Sequence, residues 1–244
     1  MAPSNAASFG AFEEALSSAI FSSAIAVKGQ IEGPITLSAY LFYKDQAFLS
    51  DPALFAAIAF HVSQMVCWQI DRLKSAGLPV LLFVDEPALC LEAPAGTLNA
   101  LAVTLEDARV RGAYAGLHCC AAQPFGRMCR AKPDILSFDA HEGLELFFAD
   151  ADARHFIDQG GMVAYGLVPT LPSLEALDPA AIFIRWLKAA TLAGDPQELA
   201  QKSMITATCG LGLLHPSAVA ESFNAAHAVS KLIRAVAETY PAGS

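Results

Sequence analysis

The run Val80-Leu81-Leu82-Phe83-Val84, closed by Asp85-Glu86-Pro87, constrains this chain more than any other stretch. A strand with one wet face alternates apolar and polar residues. Five apolar residues in a row need cover on both faces, as in a parallel sheet packed between helices. The rest of the chain supplies the helices. Residues 9–24 place Phe12, Leu16, Ile20 and Ala24 at helical spacing, and a strand over residues 25–31 ends in Glu32-Gly33-Pro34, where a loop is expected to open. Beyond Pro52, Leu54, Ile58, Val62, Met65 and Leu73 trace a helix face that stops at Gly77 and Pro79. Helices follow over residues 97–109, 144–159 and 180–192, and a closing helix carries Val219, Phe223, Ala226, Ile233 and Val236. Between them lie strands over 113–120, 134–138, 162–168 and 204–207.

About six β/α units in alternation predict an α/β fold with a parallel sheet. The polar residues fall in a telling place: Glu32, Asp85, His118, Asp139 and Cys209 all stand at strand C-terminal ends, the face where (β/α) TIM-type barrels build their active sites. The leading architecture is therefore such a (β/α) barrel, an incomplete one because an ordinary barrel has eight strands. A dinucleotide-binding sheet explains the pattern less well, since Cys209-Gly210-Leu211-Gly212 lacks the third glycine and the later acid of that fingerprint; the low strand count keeps it open. One domain is expected over residues 1–244, with residues 1–24 as an N-terminal helical segment.

Composition narrows the function classes. With 55% hydrophobic and 16% charged residues, the chain has ample material for a core buried on both sides of a sheet. A net charge of −9, with no Lys/Arg cluster, argues against nucleic acid as a partner. No window of about 20 residues is free of charge and helix breakers, so no membrane span is expected. Residues 1–8 lack the basic start of a secretory leader, which makes the cytoplasm the expected location. In that reducing compartment the six cysteines read as metal ligands or buried thiols rather than disulfides.

His118 and Cys120 share one face of their strand, whereas Cys119 points the opposite way and reads as a core-filling thiol. Two ligands are too few for zinc, which takes three or four. Cys209 and Asp139, at other strand ends, would complete a set of imidazole, two thiolates and a carboxylate. Cys67, Cys90 and Cys129 have no ligand-like spacing. Asp85 and Glu86 read either as a paired acid/base site or as a ligand-positioning acid beside a structural one, and the rigid Pro87 favours the second. Lys28 and Glu32 flank the first strand, and the plain reading of Lys28 is an ion-pair partner for an acid. His61, His155 and His227 fall in helices. His141 and His215 lie in loops after candidate ligands, where a supporting role is open.

Four motifs in the same order resemble the C-terminal barrel of cobalamin-independent methionine synthase: Val27-Lys28-Gly29-Gln30-Ile31-Glu32-Gly33-Pro34-Ile35-Thr36, Val84-Asp85-Glu86-Pro87-Ala88-Leu89, His118-Cys119-Cys120 and Cys209-Gly210-Leu211. Residues 164–170, Ala-Tyr-Gly-Leu-Val-Pro-Thr, resemble shorter standalone relatives. The resemblance implies zinc ligands His118, Cys120 and Cys209, with Asp139 standing where the family has a longer Glu. It also implies that Asp85 holds the amino group of homocysteine. The family's separate N-terminal domain and first two barrel strands, which carry another amine-binding acid and part of the folate site, have no counterpart here, so the resemblance implies a TIM-type barrel incomplete at its N-terminus.

These residues lead to an expected activity: a zinc-dependent methyltransferase that moves a methyl group to a thiol, homocysteine being the favoured acceptor. Asp85 is the candidate catalytic and substrate-binding acid, with Glu32 beside it. Zinc would lower the pKa of a bound thiol, while anionic ligands leave that thiolate electron-rich enough to attack. A methylcorrinoid, on a partner protein, or methyltetrahydrofolate would be the donor. Two other readings stand beside this one. The first is a non-catalytic corrinoid- or partner-binding barrel with a structural zinc site. The second is an enzyme like uroporphyrinogen decarboxylase, which needs no cysteines and fits the acidic balance poorly. A sheet of six strands leaves two open edges, so a homodimer or a complex with another subunit is also expected.

Overall fold

The computed structural model describes residues 7–121, 124–170 and 177–238. Residues 1–6 of the stretch assessed for a leader lie outside them. In chain order the elements are α1 (Ala7–Ser17), β1 (Val27–Glu32), α2 (Pro34–Tyr40), β2 (Phe42–Tyr43), β3 (Gln46–Ala47), α3 (Pro52–Leu73), β4 (Val80–Asp85), α4 (Thr97–Val110), β5 (Tyr114–Cys119), α5 (Phe125–Arg130), β6 (Ile135–Asp139), α6 (Ala140–Ala149), α7 (Ala151–Asp158), β7 (Met162–Val168), α8 (Pro179–Ala193), α9 (Pro196–Gln201), β8 (Ser203–Ala207) and α10 (Pro216–Glu238). The fold is α/β, with a parallel six-stranded sheet ordered β1-β4-β5-β6-β7-β8, so that β1 and β8 are edge strands. β2 and β3 form a separate antiparallel hairpin.

The chain clusters into two compact units, Met1–Asp85 with Ala93–Gly116, and Glu86–Glu92 with Leu117–Ser244. In the first, β1 and β4 run in parallel register from Val27 opposite Val80 to Glu32 opposite Asp85. The pleat sends Val27, Gly29 and Ile31 to one face and Lys28, Gln30 and Glu32 to the other. A Cβ on Gly29 would lie 2.6 Å from Gln69 Oε1 and 2.7 Å from Leu73 Cδ1. Only glycine lets α3 come this close.

That approach also sets the roll of α3. Its buried stripe is Phe55, Val62, Val66, Ile70 and Leu73, whereas Leu54, Ile58 and Met65 of the expected stripe are half-buried. Residues Pro52–Ala76 are long and apolar enough, by length and composition, to cross a membrane. In this fold the helix packs against β1, α2 and α4. After β1 the chain does not simply enter a loop. Pro34 ends the strand, as expected, but then opens α2 from its first turn, where a missing N–H costs nothing.

The free edge of β1 is partly plugged. The backbone N–H of Gln30 donates to Gln69 Oε1 (3.1 Å), and Gln69 Nε2 donates back to the Gln30 carbonyl (3.0 Å). One side-chain amide thus occupies the place of a neighbouring peptide group.

In the second unit, the ladders β6–β7 and β7–β8 are parallel, with Ser137 opposite Ala164 and Asp139 opposite Gly166. Phe138 stacks on Phe147 (centroids 4.6 Å apart), and Phe125, Tyr165 and Trp186 extend this buried cluster edge to face. The helix expected over 144–159 is two helices. The Asp150 carboxylate accepts the Ala153 N–H (2.9 Å) and starts α7 afresh. Helices α5 and α9, each six residues long, are too short to show an apolar period in sequence.

The Gln69 plug yields a stability prediction. Gln69→Ala removes both bonds to Gln30 and should lower unfolding free energy by about 1 kcal/mol, with greater self-association at high concentration. Urea titration and light scattering measure the two effects; a variant equal to wild type in both would show that the plug is idle.

Candidate functional site

The best-built polar cluster lies in the first unit, on the face of β1 opposite α3. Alternation brings Lys28, Gln30 and Glu32 to this face, and the register sets Asp85 beside Glu32. Lys28 Nζ donates to Gln30 Oε1, and Gln30 Nε2 donates to Asp85 Oδ2. The Lys28 ammonium sits 4.8 Å from the centroid of the Phe83 ring. Phe83 in turn lies over Gly116, where any Cβ would strike the ring. Asp85 is half-buried; among the described residues, its Oδ1 is buried and has no hydrogen-bond partner.

Electrostatics follow from this crowding. Burial raises the Asp85 pKa, against the opposing pull of the Gln30 hydrogen bond and the Lys28 charge. Burial also raises Glu32, and the Asp85 charge adds to the effect. Lys28 and Glu32 keep substantial solvent-accessible area, yet enough protein surrounds the Lys28 ammonium to lower its pKa, with Asp85 opposing. Among the described residues Lys28 makes no direct ion pair: Gln30 bridges it to Asp85, whose charge still reaches it. Glu86, one residue beyond Asp85, is fully buried. Its N–H donates to the His118 carbonyl (2.8 Å), which ties the turn after β4 to β5.

The second unit holds the four expected metal ligands. His118 is half-buried on β5, with Nδ1 2.9 Å from the buried Ser137 Oγ on β6. Cys120 follows directly after β5 and is half-buried. Asp139 ends β6 and caps α6, its Oδ1 accepting the Glu142 N–H (3.1 Å). Cys209 lies just beyond β8 and is exposed. Among the described residues, no three His, Cys, Asp or Glu side chains gather in a group able to hold a metal ion. The ligand types suit zinc, but the arrangement does not bring them together.

The remaining residues behave locally. Cys119 is buried, and burial pushes its thiol up to about 12, in keeping with a core-filling side chain. His141 lies 3.9 Å from Glu142, and His215 Nδ1 lies 2.9 Å from Ser217 Oγ. Gln30 and Ser137 were not singled out from sequence. The signal for Gln30 was present in Val-Lys-Gly-Gln-Ile-Glu, where every second residue is polar on a strand otherwise built for a core.

The raised pKa of Asp85 carries a pH signature. The folded state binds this proton more tightly than the unfolded chain does. Ionisation therefore costs stability as pH rises through the folded pKa, and the cost vanishes below the ordinary carboxylate range. Asp85→Asn should raise Tm at pH 7, and the gap should close near about pH 3. A Tm difference independent of pH, followed by calorimetry, would mean that Asp85 ionises unhindered. No protein-family model matches the chain, and no curated protein matches it.

Proposed function

We propose that the chain is a zinc-dependent methyltransferase that moves a methyl group to a substrate thiol, with homocysteine as acceptor and methionine as product. The observation that carries this reading is the Asp85 carboxylate, with one oxygen held by Gln30 and the other buried and without a hydrogen-bond partner among the described residues. Such an oxygen suits a substrate ammonium, which returns a charge-assisted hydrogen bond for the lost water. Glu32, opposite Asp85 in the ladder, adds negative charge that favours a cation and repels an anion. The motif order shared with the methionine synthase barrel supports the same acceptor, as does the sheet, which we take as an incomplete (β/α) barrel.

His118, Cys120 and Cys209 are the proposed zinc ligands, and Asp139 the fourth. When bound, zinc supplies a thiol-activating charge. Because the four are not gathered, metal binding has to draw the exposed Cys209 inward and compete with the α6 cap for Asp139. The proposed donor is a methylcorrinoid, on a partner protein, or methyltetrahydrofolate; the proposed setting is cytoplasmic, in a homodimer or hetero-complex.

Methionine formed from homocysteine with methylcobalamin or methyltetrahydrofolate is the direct test, and no product with either donor would reject the activity. About one zinc per chain is expected by metal analysis, and His118→Ala and Cys209→Ala should each lose it. Full occupancy in both variants would remove the ligand assignment. If cobalt substituted for zinc keeps an unchanged spectrum on addition of thiol, the non-catalytic reading with structural zinc is preferred. Asp85→Asn should raise the KM for homocysteine about 10- to 100-fold with zinc content unchanged, since a hydrogen bond between charged groups is lost. Loss of zinc in that variant would show that Asp85 serves the metal instead.

A further inference from the structure

Gln30 is held at four points. Its backbone N–H and carbonyl are both engaged by the Gln69 amide, at 3.1 and 3.0 Å. Its side-chain oxygen accepts from Lys28, and its side-chain nitrogen donates to Asp85. The orientation of this amide is fixed by chemistry. An ammonium has only donors, so Lys28 can meet Oε1 alone, and Nε2 is left facing the carboxylate. A flipped amide would set NH2 against NH3⁺ and oxygen against oxygen.

A glutamine constrained in this way, on an otherwise solvent-accessible strand residue, does more than fill space. Satisfying Oδ2 fixes the rotation of the Asp85 carboxylate and leaves Oδ1 buried, without a partner among the described residues. Orphaned buried acceptors are costly and rare, and a ligand donor is one standard reason for keeping them. The charged groups around this oxygen are Lys28, set back behind the Gln30 amide, and Glu32, in register beside it. Glu32, across the ladder and close enough to feel the Asp85 charge, weights the position toward a cationic N–H over a neutral or anionic group.

We propose that Gln30 is a positioning residue: its side-chain amide, oriented by Lys28 on a backbone anchored by Gln69, turns the Asp85 carboxylate so that Oδ1 receives a cationic nitrogen of the ligand. This assignment rests on the reading of Asp85 as the site for the acceptor's ammonium group. It adds a discriminating element to that site. The amide bond to Oδ2 favours the ionised carboxylate, and it is the ionised form that distinguishes an ammonium-bearing ligand from its deaminated analogue.

Gln30→Met is the informative variant, because methionine keeps the length of the side chain while the Gln69 bonds, made to the backbone, survive. Two measurements are made on the full chain: carbon-13 NMR titration of the Asp85 carboxyl, and calorimetric binding of L-homocysteine against 4-mercaptobutanoate, which lacks only the amino group. In the variant the Asp85 pKa should move up, because the Gln30 hydrogen bond that holds it down is gone. The preference for homocysteine should fall about tenfold or more while 4-mercaptobutanoate binds as before. An unshifted carboxyl titration, or undiminished preference, overturns the role of Gln30. If wild type itself shows no preference, the ammonium reading of Asp85 fails and the ligand role of Gln30 falls with it. The titration then tells the failures apart: a shift in Gln30→Met means that the hold on Asp85 is real and the ligand wrong, and no shift means that the hold itself is absent.

Discussion

The parallel register between β1 and β4 is the constraint on which the chemistry of the first unit depends. With Glu32 opposite Asp85 and Gln30 opposite Phe83, each polar side chain of β1 meets a partner on the same face. A slip of one residue would exchange the faces. Lys28, Gln30 and Glu32 would then turn toward α3, and Gly29, the one position that admits that helix, would turn away. Backbone geometry and site chemistry are therefore set by the same ladder. Nothing in the cluster has to be placed by a long loop.

In the second unit the same pleat divides β6 between two tasks. Phe138 joins the aromatic cluster with Phe147, Phe125 and Tyr165, while Ser137 and Asp139 project to the opposite side. Ser137 meets the His118 ring there, and Asp139 caps the following helix. An acid at such a position has a sufficient structural use before any metal is considered, since it satisfies an N–H that the helix start leaves open. That local use competes with the expected ligand role.

Much of the fold was legible because strands such as β4 and β7 are buried almost throughout. Continuous apolar runs such as residues 80–84 announce their strands, and the observed β4 and β7 follow the expected limits closely. Short elements were not legible: the α2 turn opened by Pro34 and the six-residue helices α5 and α9 lack the length over which a helical period shows. The roll of α3 was hidden for another reason. It depends on a glycine in a different element, which no periodicity within α3 can reveal. At the sites, residue types at strand ends could be read, but hydrogen-bond partners could not. Gln30 gains its meaning from Lys28, Asp85 and Gln69, and Gln69 is 39 residues away along the chain. Convergence of His118, Cys120, Asp139 and Cys209 was likewise a matter of three-dimensional closure, and spacing alone does not fix it.

The Gln69 plug also has a consequence for the order in which the molecule assembles. The group that satisfies Gln30 on the edge of β1 belongs to a helix, so this part of the edge becomes protected only when α3 has docked on the strand. Before that moment β1 offers its peptide groups to any passing chain, and afterwards a competing strand must first displace an amide whose helix is anchored by Val66, Ile70 and Leu73. Protection from misassembly is thereby tied in time to the maturation of the core. At Gln30, therefore, a nascent chain is open to edge pairing until the helix has docked, and crowding during synthesis meets this strand at its least protected.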